Sequence, residues 1–174
     1  MKEIIKFILN IFDFFTQQKI LKVLSKNFEN NSLSVLVDVG SHKGEYINSI
    51  KKKFNIQKIY GFEPNPDIYE ILKKKIVDEK INLFNFGISD ENGKIEFYKN
   101  LETSSSTINK LNTKSKYYKK KYFLLNIFNS KEVTKKIEIN VLRLDEFIHL
   151  NKIDKIDLIK IDTEGYEFKV IKSL

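Results

Sequence analysis

The sequence predicts an α/β fold built on one open, largely parallel sheet, preceded by an amphipathic helix and carrying a β-hairpin insertion. Three observations predict it. Short apolar runs alternate with segments of helical period, the pattern of strands joined by crossover helices. Two of those runs, 34–39 and 156–161, are mostly apolar from end to end, as strands covered on both faces are. At 174 residues and 20.6 kDa the chain has the length of one domain. Residues 1–30 read as an N-terminal helical segment and 31–174 as the domain itself.

Ile4, Ile8, Ile11 and Phe15 recur on one helical stripe, widened by Ile5, Leu9 and Phe12. The apolar run at 4–15 is broken by Lys6, Asn10 and Asp13 and falls short of the ~20 residues a spanning helix needs. No small-residue cleavage site follows it. Two readings fit: a helix packed on the domain or a partner, or an interfacial helix making peripheral membrane contact through residues 4–15. Next, 34–39 reads as a central strand and 44–54 as a helix with Ile47, Ile50 and Phe54 on one side. Residues 58–62 form a second strand. Asn65-Pro66-Asp67 opens a helix through Ile68, Ile71, Leu72 and Ile76; proline suits the first helical position, where no amide donor is needed. Residues 81–86 form a third strand.

The order then changes. Asp90-Glu91-Asn92-Gly93 is a turn signal, and 94–98 alternates as a strand. Residues 136–142 alternate again and are a candidate partner for 94–98. Between them, 99–134 is polar, first serine-rich and then rich in lysine and tyrosine. That is too long for an ordinary connection and suggests a functional loop. Asp145 is expected to cap a short helix to Leu150, 156–161 is another core strand, and a helix follows from Gly165.

Composition excludes several classes. Hydrophobic residues make up 41% of the chain, enough for a core and against disorder throughout. With no cysteine there is no disulfide, thiolate ligand or cysteine nucleophile, and no metal site is expected. The formal charge of +8 invites a nucleic-acid reading, yet Arg143 is the only arginine. Alanine is absent while Lys, Ile, Asn and Phe abound, a bias toward AT-rich codons. Base readers and phosphate clamps favour the planar fork of arginine, so no nucleic-acid partner is expected. The stretch 116–122 interleaves lysine and tyrosine as single-strand binders do, but a solvated face is the plainer reading.

Three segments stand at the carboxyl ends of predicted parallel strands, the edge where open α/β sheets bind ligands. In Asp38-Val-Gly-Ser-His-Lys-Gly44, Gly40 allows a sharp turn and close approach of a ligand, and Gly44 stands where the helix amides begin. The spacing is not that of a Gly-x-Gly-x-x-Gly fingerprint, and no P-loop is present. In Phe62-Glu63-Pro64-Asn65, Glu63 lies 25 residues after Asp38, near the ~20-residue spacing of an acid that holds ribose hydroxyls. In Lys160-Ile-Asp-Thr-Glu-Gly165, Asp162 and Glu164 share a tight turn and could orient a hydroxyl, accept its proton or hold a cation. His42 is a candidate base, or a solvent-facing loop residue. His149 reads as surface.

Taken together with Asn85-Phe-Gly-Ile-Ser-Asp90, Gly93 and Leu144-Asp145, these motifs resemble the FkbM family of S-adenosylmethionine-dependent methyltransferases, from about Val35 to the last residue. The resemblance implies a Rossmann-like, seven-stranded methyltransferase sheet. It implies that Asp38, Gly40, Ser41, His42 and Gly44 surround the methionine part of S-adenosylmethionine. Glu63 and Pro64 would stand at the ribose, Ser89 and Asp90 beside the adenine, and Asp162 and Glu164 at the transferred methyl as the catalytic pair. It further implies O-methylation of a small-molecule or glycan acceptor. A truncated, non-catalytic relative acting as a scaffold is the alternative. A sheet of this kind continues for about three more strands, so the chain is expected to be C-terminally truncated, with 156–161 an open edge through which it associates. The expected location is cytoplasmic, with the inner face of the membrane as a variant of that reading.

Overall fold

The computed structural model describes residues 2–99 and 135–174, with side chains from residue 15 onward. Helix α1 spans Lys2–Asn27, and a single 3-10 turn, Glu29–Asn31, leads into β1, Ser32–Val39. Then come α2 (Glu45–Lys51), β2 (Asn55–Phe62), α3 (Pro66–Lys75) and β3 (Ile81–Phe84). The second half holds β4 (Gly87–Ile88), β5 (Gly93–Lys99), β6 (Lys135–Leu142), α4 (Leu144–Leu150), β7 (Leu158–Ile161) and α5 (Glu167–Ile171). The loop expected over 99–134, with its 116–122 stretch, lies outside the described residues from position 100. So do the side chains of the 4–15 stripe before Phe15.

The seven strands form two sheets. One is fully parallel in the order β3-β2-β1-β7, and the other runs β4-β6-β5. In the second, β5 and β6 pair antiparallel from Gly93 opposite Val141 to Lys99 opposite Lys135, so the expected hairpin pairing is present. β4 adds to β6 in parallel through two residues. The predicted third strand stops at Phe84, because the chain turns at Asn85. Its side-chain amide donates to the Glu63 carbonyl at 2.9 Å and the Pro64 carbonyl at 3.3 Å.

Strand alternation sorts the core into two faces. On one face Leu36 of β1 and Ile59 of β2 pack with Ile47 and Ile50 of α2, Leu72 of α3 and Leu21 of α1. On the other, Val37, Val39, Tyr60 and Phe62 pack with Leu144 and Phe147 of α4 and Val170 of α5. The second face is aromatic: the Phe147 ring meets Phe62 and Phe84 edge-on at 4.8 and 5.0 Å, and those two stack at 5.3 Å. Such geometry adds about 0.5–1.5 kcal/mol per pair beyond burial. The parity has a consequence at the carboxyl edge. Asp38, Gly61, Glu63, Lys160 and Asp162 all follow the positions that face α2 and α3.

Helix starts are mostly as their sequence dictates. Asn65 caps α3, its Oδ1 accepting from the Asp67 amide at 3.2 Å, with Pro66 at the first position. Ile68 and Leu72 are buried, but Ile71 is 39% exposed and leaves the expected core stripe. α4 departs from expectation. Its cap position is Arg143, and Asp145 sits in the first turn, where its carboxylate binds the Arg143 guanidinium at 2.6 Å. α1 is longer than its apolar stripe. Leu21 is fully buried, Leu24 and Phe28 pack beside it, and Gln17 accepts a hydrogen bond from Ser49 at 3.0 Å. The opposite side carries Phe15, Ile20 and Val23, all largely exposed. No helix of the described residues is long and apolar enough to cross a membrane.

β7 borders the parallel sheet with β1 as its one ladder neighbour. Its start is fastened by Asp157, whose carboxylate accepts from the Ser34 and Val35 amides at 2.6 and 3.1 Å.

Candidate functional site

The carboxyl ends of β1, β2 and β7 bring the first, second and third motifs together. Asp38 stands opposite Gly61 on one side and Lys160 on the other. The Asp38 carboxyl is completely buried, with Oδ1 3.1 Å from Lys160 Nζ and neither oxygen accepting a well-aligned hydrogen bond. Burial holds it above the usual carboxylate range, and the Lys160 ammonium offsets only part of that. Ser41 folds back beneath the loop, its hydroxyl donating to the Asp38 carbonyl at 2.9 Å. Gly61 makes room for it, since a Cβ there would lie 2.8 Å from Ser41 Oγ.

Glu63 joins the first two loops. Its Oε2 accepts from the His42 amide and its Oε1 from the Asn65 amide, both at 2.9 Å. The residue is 6% exposed, and burial pushes its carboxyl up even though these two amides pull it down. The Gly40 and Ser41 amides both donate to the Phe62 carbonyl, at 3.0 and 2.9 Å, so the first loop hangs on the end of β2. Pro64 follows, half-buried, and the Asn65 side-chain nitrogen beside it is buried without a hydrogen-bond partner.

Gly40 has φ +80°, as the expected sharp turn requires. A Cβ built there would also lie 2.0 Å from the Asp162 carbonyl oxygen, because the third loop crosses at this point. Gly44, at φ +81°, caps α2 and would press a Cβ on Ile76 and Leu72 at 3.0 Å. His42 itself has φ +47° and its Nδ1 lies 3.3 Å from Glu45 Oε2.

On the third loop, Asp162 bonds its amide to the Val39 carbonyl at 3.0 Å, while its side chain is 68% exposed and 3.7 Å from Lys160. Glu164 is exposed at φ +52°. The turn is closed by Glu167, whose Oε1 accepts from the Thr163 amide, the Gly165 amide and the Thr163 hydroxyl at 3.0–3.2 Å. Burial would raise the Glu167 carboxyl, but these donors outweigh it and leave it below its usual range.

Ser89 and Asp90 are placed differently from the rest. Ser89 is fully buried and its hydroxyl shares a 2.9 Å hydrogen bond with Tyr166; Asp90 takes Lys169 on both oxygens at 2.8–2.9 Å. That ammonium lowers the Asp90 carboxyl. Both residues are tied to the turn before α5 and to α5 itself, and neither bonds Glu63 or the first loop. Lys160 opens the third motif and Tyr166 follows it in the stretch that carries the resemblance, but the sequence assigned neither a role. A single lysine inside the apolar strand Leu158–Ile161 was the available signal for the first.

Comparison with known proteins identifies the family. The methyltransferase FkbM domain matches residues 38–174. The hexuronic acid methyltransferase AglP of Haloferax volcanii is 24% identical over 160 residues, covering 91% of this chain and 56% of the relative. Methyltransferase sdnD of Sordaria araneosa is 24% identical over 157 residues, covering 80% of this chain and 60% of the relative. The chain thus spans little more than half the length of the relatives it matches. The crystal structure of methyltransferase FkbM from Methylobacillus flagellatus superposes with a TM-score of 0.50 at 17% identity, over 82% of this chain and 29% of that one. That likeness concerns the fold. With the domain match running from Asp38 at the first loop to the last residue, this chain belongs to the FkbM methyltransferase family.

Proposed function

We propose that the protein transfers a methyl group from S-adenosylmethionine to a hydroxyl oxygen of a glycan or secondary metabolite. The observation that carries the reading is Glu63, a buried acid at the end of β2 whose two oxygens each hold one loop amide and keep lone pairs for vicinal hydroxyls. The Asp38 carboxyl, whose oxygens accept no well-aligned hydrogen bond, and the Asn65 side-chain nitrogen, both buried at the same edge, fit a polar ligand there. S-adenosylmethionine, when bound, supplies the electrophilic methyl. The first loop, from Asp38 through Gly44, would hold the methionine part, with Glu63 and Pro64 at the ribose. Ser89 and Asp90 would support the adenine side by fixing Tyr166 and Lys169. Asp162, with its exposed carboxylate, is the proposed acceptor of the substrate proton, and Glu164 its neighbour at the acceptor. For the glycan acceptor, support comes from the relative named as a hexuronic acid methyltransferase.

Calorimetric titration of the chain with S-adenosylhomocysteine and, separately, with NAD tests this. Binding of the first alone is expected; binding of neither by a folded sample would favour the scaffold reading. A peripheral membrane role for α1 is also proposed, on the exposed Phe15, Ile20 and Val23 lying among Lys19, Lys22 and Lys26. Sedimentation with anionic and with neutral vesicles tests it. Association through the open edge of β7 would appear as concentration-dependent light scattering.

A further inference from the structure

Resting on that reading of the carboxyl edge as the cofactor site, we infer that Lys160 is the positioning residue that sets the first loop for ligand binding. Lys160 lies in β7, opposite Asp38 in the register, and its side chain is 19% exposed. Its ammonium donates to the Gly40 carbonyl at 2.7 Å, the shortest polar contact it makes. It stands 3.1 Å from Asp38 Oδ1 and 3.7 Å from Asp162 Oδ2, and 5.8 Å from the centre of the Tyr46 ring. One cation therefore touches the first loop, the strand beneath it and the third loop.

The first loop is gripped from two sides. Its amides at Gly40, Ser41 and His42 go to the end of β2, to the Phe62 carbonyl and Glu63. Its outward carbonyl at Gly40 goes to β7, through Lys160. Without that ammonium the carbonyl loses its donor and the buried Asp38 carboxylate loses its counter-charge. The Gly40 backbone also sits against the Asp162 carbonyl. The groups facing the ammonium are Asp38 from β1, Tyr46 from α2 and Asp162 from its own loop. Tyr46 is pushed up to about 12 by burial and by the Asp38 charge, so it stays neutral and cannot substitute as a partner charge.

The test compares the wild type with Lys160→Met by S-adenosylhomocysteine calorimetry and by amide hydrogen exchange. The expected result is at least a tenfold loss of affinity, with faster exchange at the loop amides of Gly40, Ser41 and His42. The β5–β6 ladder should keep its protection. Lys160→Arg, which keeps a charged donor, should recover most of the affinity. Affinity in Lys160→Met within about twofold of wild type overturns the inference. Uniformly faster exchange across the loop and the β5–β6 ladder overturns it as well, since that is the mark of a merely structural role. If the methionine variant does not fold, Lys160→Gln carries the same test, because its uncharged amide ends one bond short of the ammonium and neither reaches the Gly40 carbonyl as lysine does nor balances Asp38. A wild type that binds no S-adenosylhomocysteine defeats the proposed function instead, while the exchange comparison still decides whether Lys160 pins the loop.

Discussion

Glu63→Ala is the substitution whose effect can be worked most fully from the geometry. The alanine removes the acceptor for two buried amides, His42 and Asn65, each 2.9 Å from a carboxylate oxygen. Hydrogen bonds to a charged group contribute about 1.5–3 kcal/mol each. Relief of the buried charge returns part of that, because the Glu63 carboxyl is raised by its own burial. A net loss of about 3 kcal/mol is expected, which for a chain of this length lowers the melting midpoint by about 6–12 °C. Glu63→Gln should fare little better. Its amide nitrogen would face either the His42 or the Asn65 donor, and one of the two pairs becomes donor against donor. Circular-dichroism melts of both variants test the structural part, and S-adenosylhomocysteine calorimetry tests the ligand part, with at least a tenfold weakening expected. A Glu63→Ala protein that melts within about 2 °C of wild type would mean a loss below about 1 kcal/mol, and the joining of the two loops through this carboxylate would be refuted.

The remaining predictions rest on separate contacts. Gly40→Ala should destabilise far more than Gly44→Ala: the first Cβ meets a backbone oxygen at 2.0 Å, the second only side-chain carbons at 3.0 Å. Equal melting midpoints would contradict the crossing of the first and third loops. A double-mutant cycle of Ser89→Ala with Tyr166→Phe should give a coupling of about 0.5–1.5 kcal/mol, from a buried hydroxyl pair at 2.9 Å; additive effects would count against the pair. Asp38 has a raised carboxyl in the folded state. The folded chain therefore binds that proton more tightly than the unfolded one. The contribution is full below the unfolded pKa of about 3.9 and is lost as pH rises through the raised native value. Melts across pH should show Asp38→Asn gaining on wild type as pH rises above about 4, whereas a constant offset would show that folding leaves the Asp38 carboxyl unshifted.

Much of the fold was legible because it depends on period and punctuation. The apolar run ending at Val39, the Asn65-Pro66 helix start and the alternation of 94–98 with 136–142 are local signals, and each element formed where they stand. The edge position of β7 also followed from the order of strands. What failed to show was anything fixed by crossings between distant segments. The sequence does not say that Gly40 faces the Asp162 carbonyl, because the two loops follow neighbouring strands that are far apart in the chain. Nor does it say that Ser89 turns inward to Tyr166, 77 residues away. Asp145 misled for a local reason: it stands inside the first turn, where its carboxylate takes the Arg143 guanidinium together with the Glu146 amide. At the site itself, residue types were readable and their partners were not. Glu63 could be chosen as an acid at a strand end, but its two amide donors come from loops folded onto it.

The distribution of unfavourable features supports the carboxyl edge as the working surface. Asp38 and Glu63 are buried carboxyls held above their usual range, and Lys160 is set against Asp38 alone of the two. A buried ion pair contributes little to net stability, because desolvation takes back most of the Coulomb gain. His42 and Glu164 occupy left-handed backbone without being glycine, at a cost of order 1 kcal/mol or more each. The other non-glycine residues of this kind, Asn30, Asn31 and Lys152, sit in turns leading into β1 and out of α4, with no buried acid beside them. At the opposite, amino edge of the sheet the acids Asp78 and Asp157 each have a lysine partner and amide donors, and both are held below their usual range. A chain selected for stability alone would gain by placing apolar residues in the Lys160–Asp38 row. Concentrating charge burial and backbone strain in three loops around one edge makes physical sense where a polar ligand supplies the missing partners on binding.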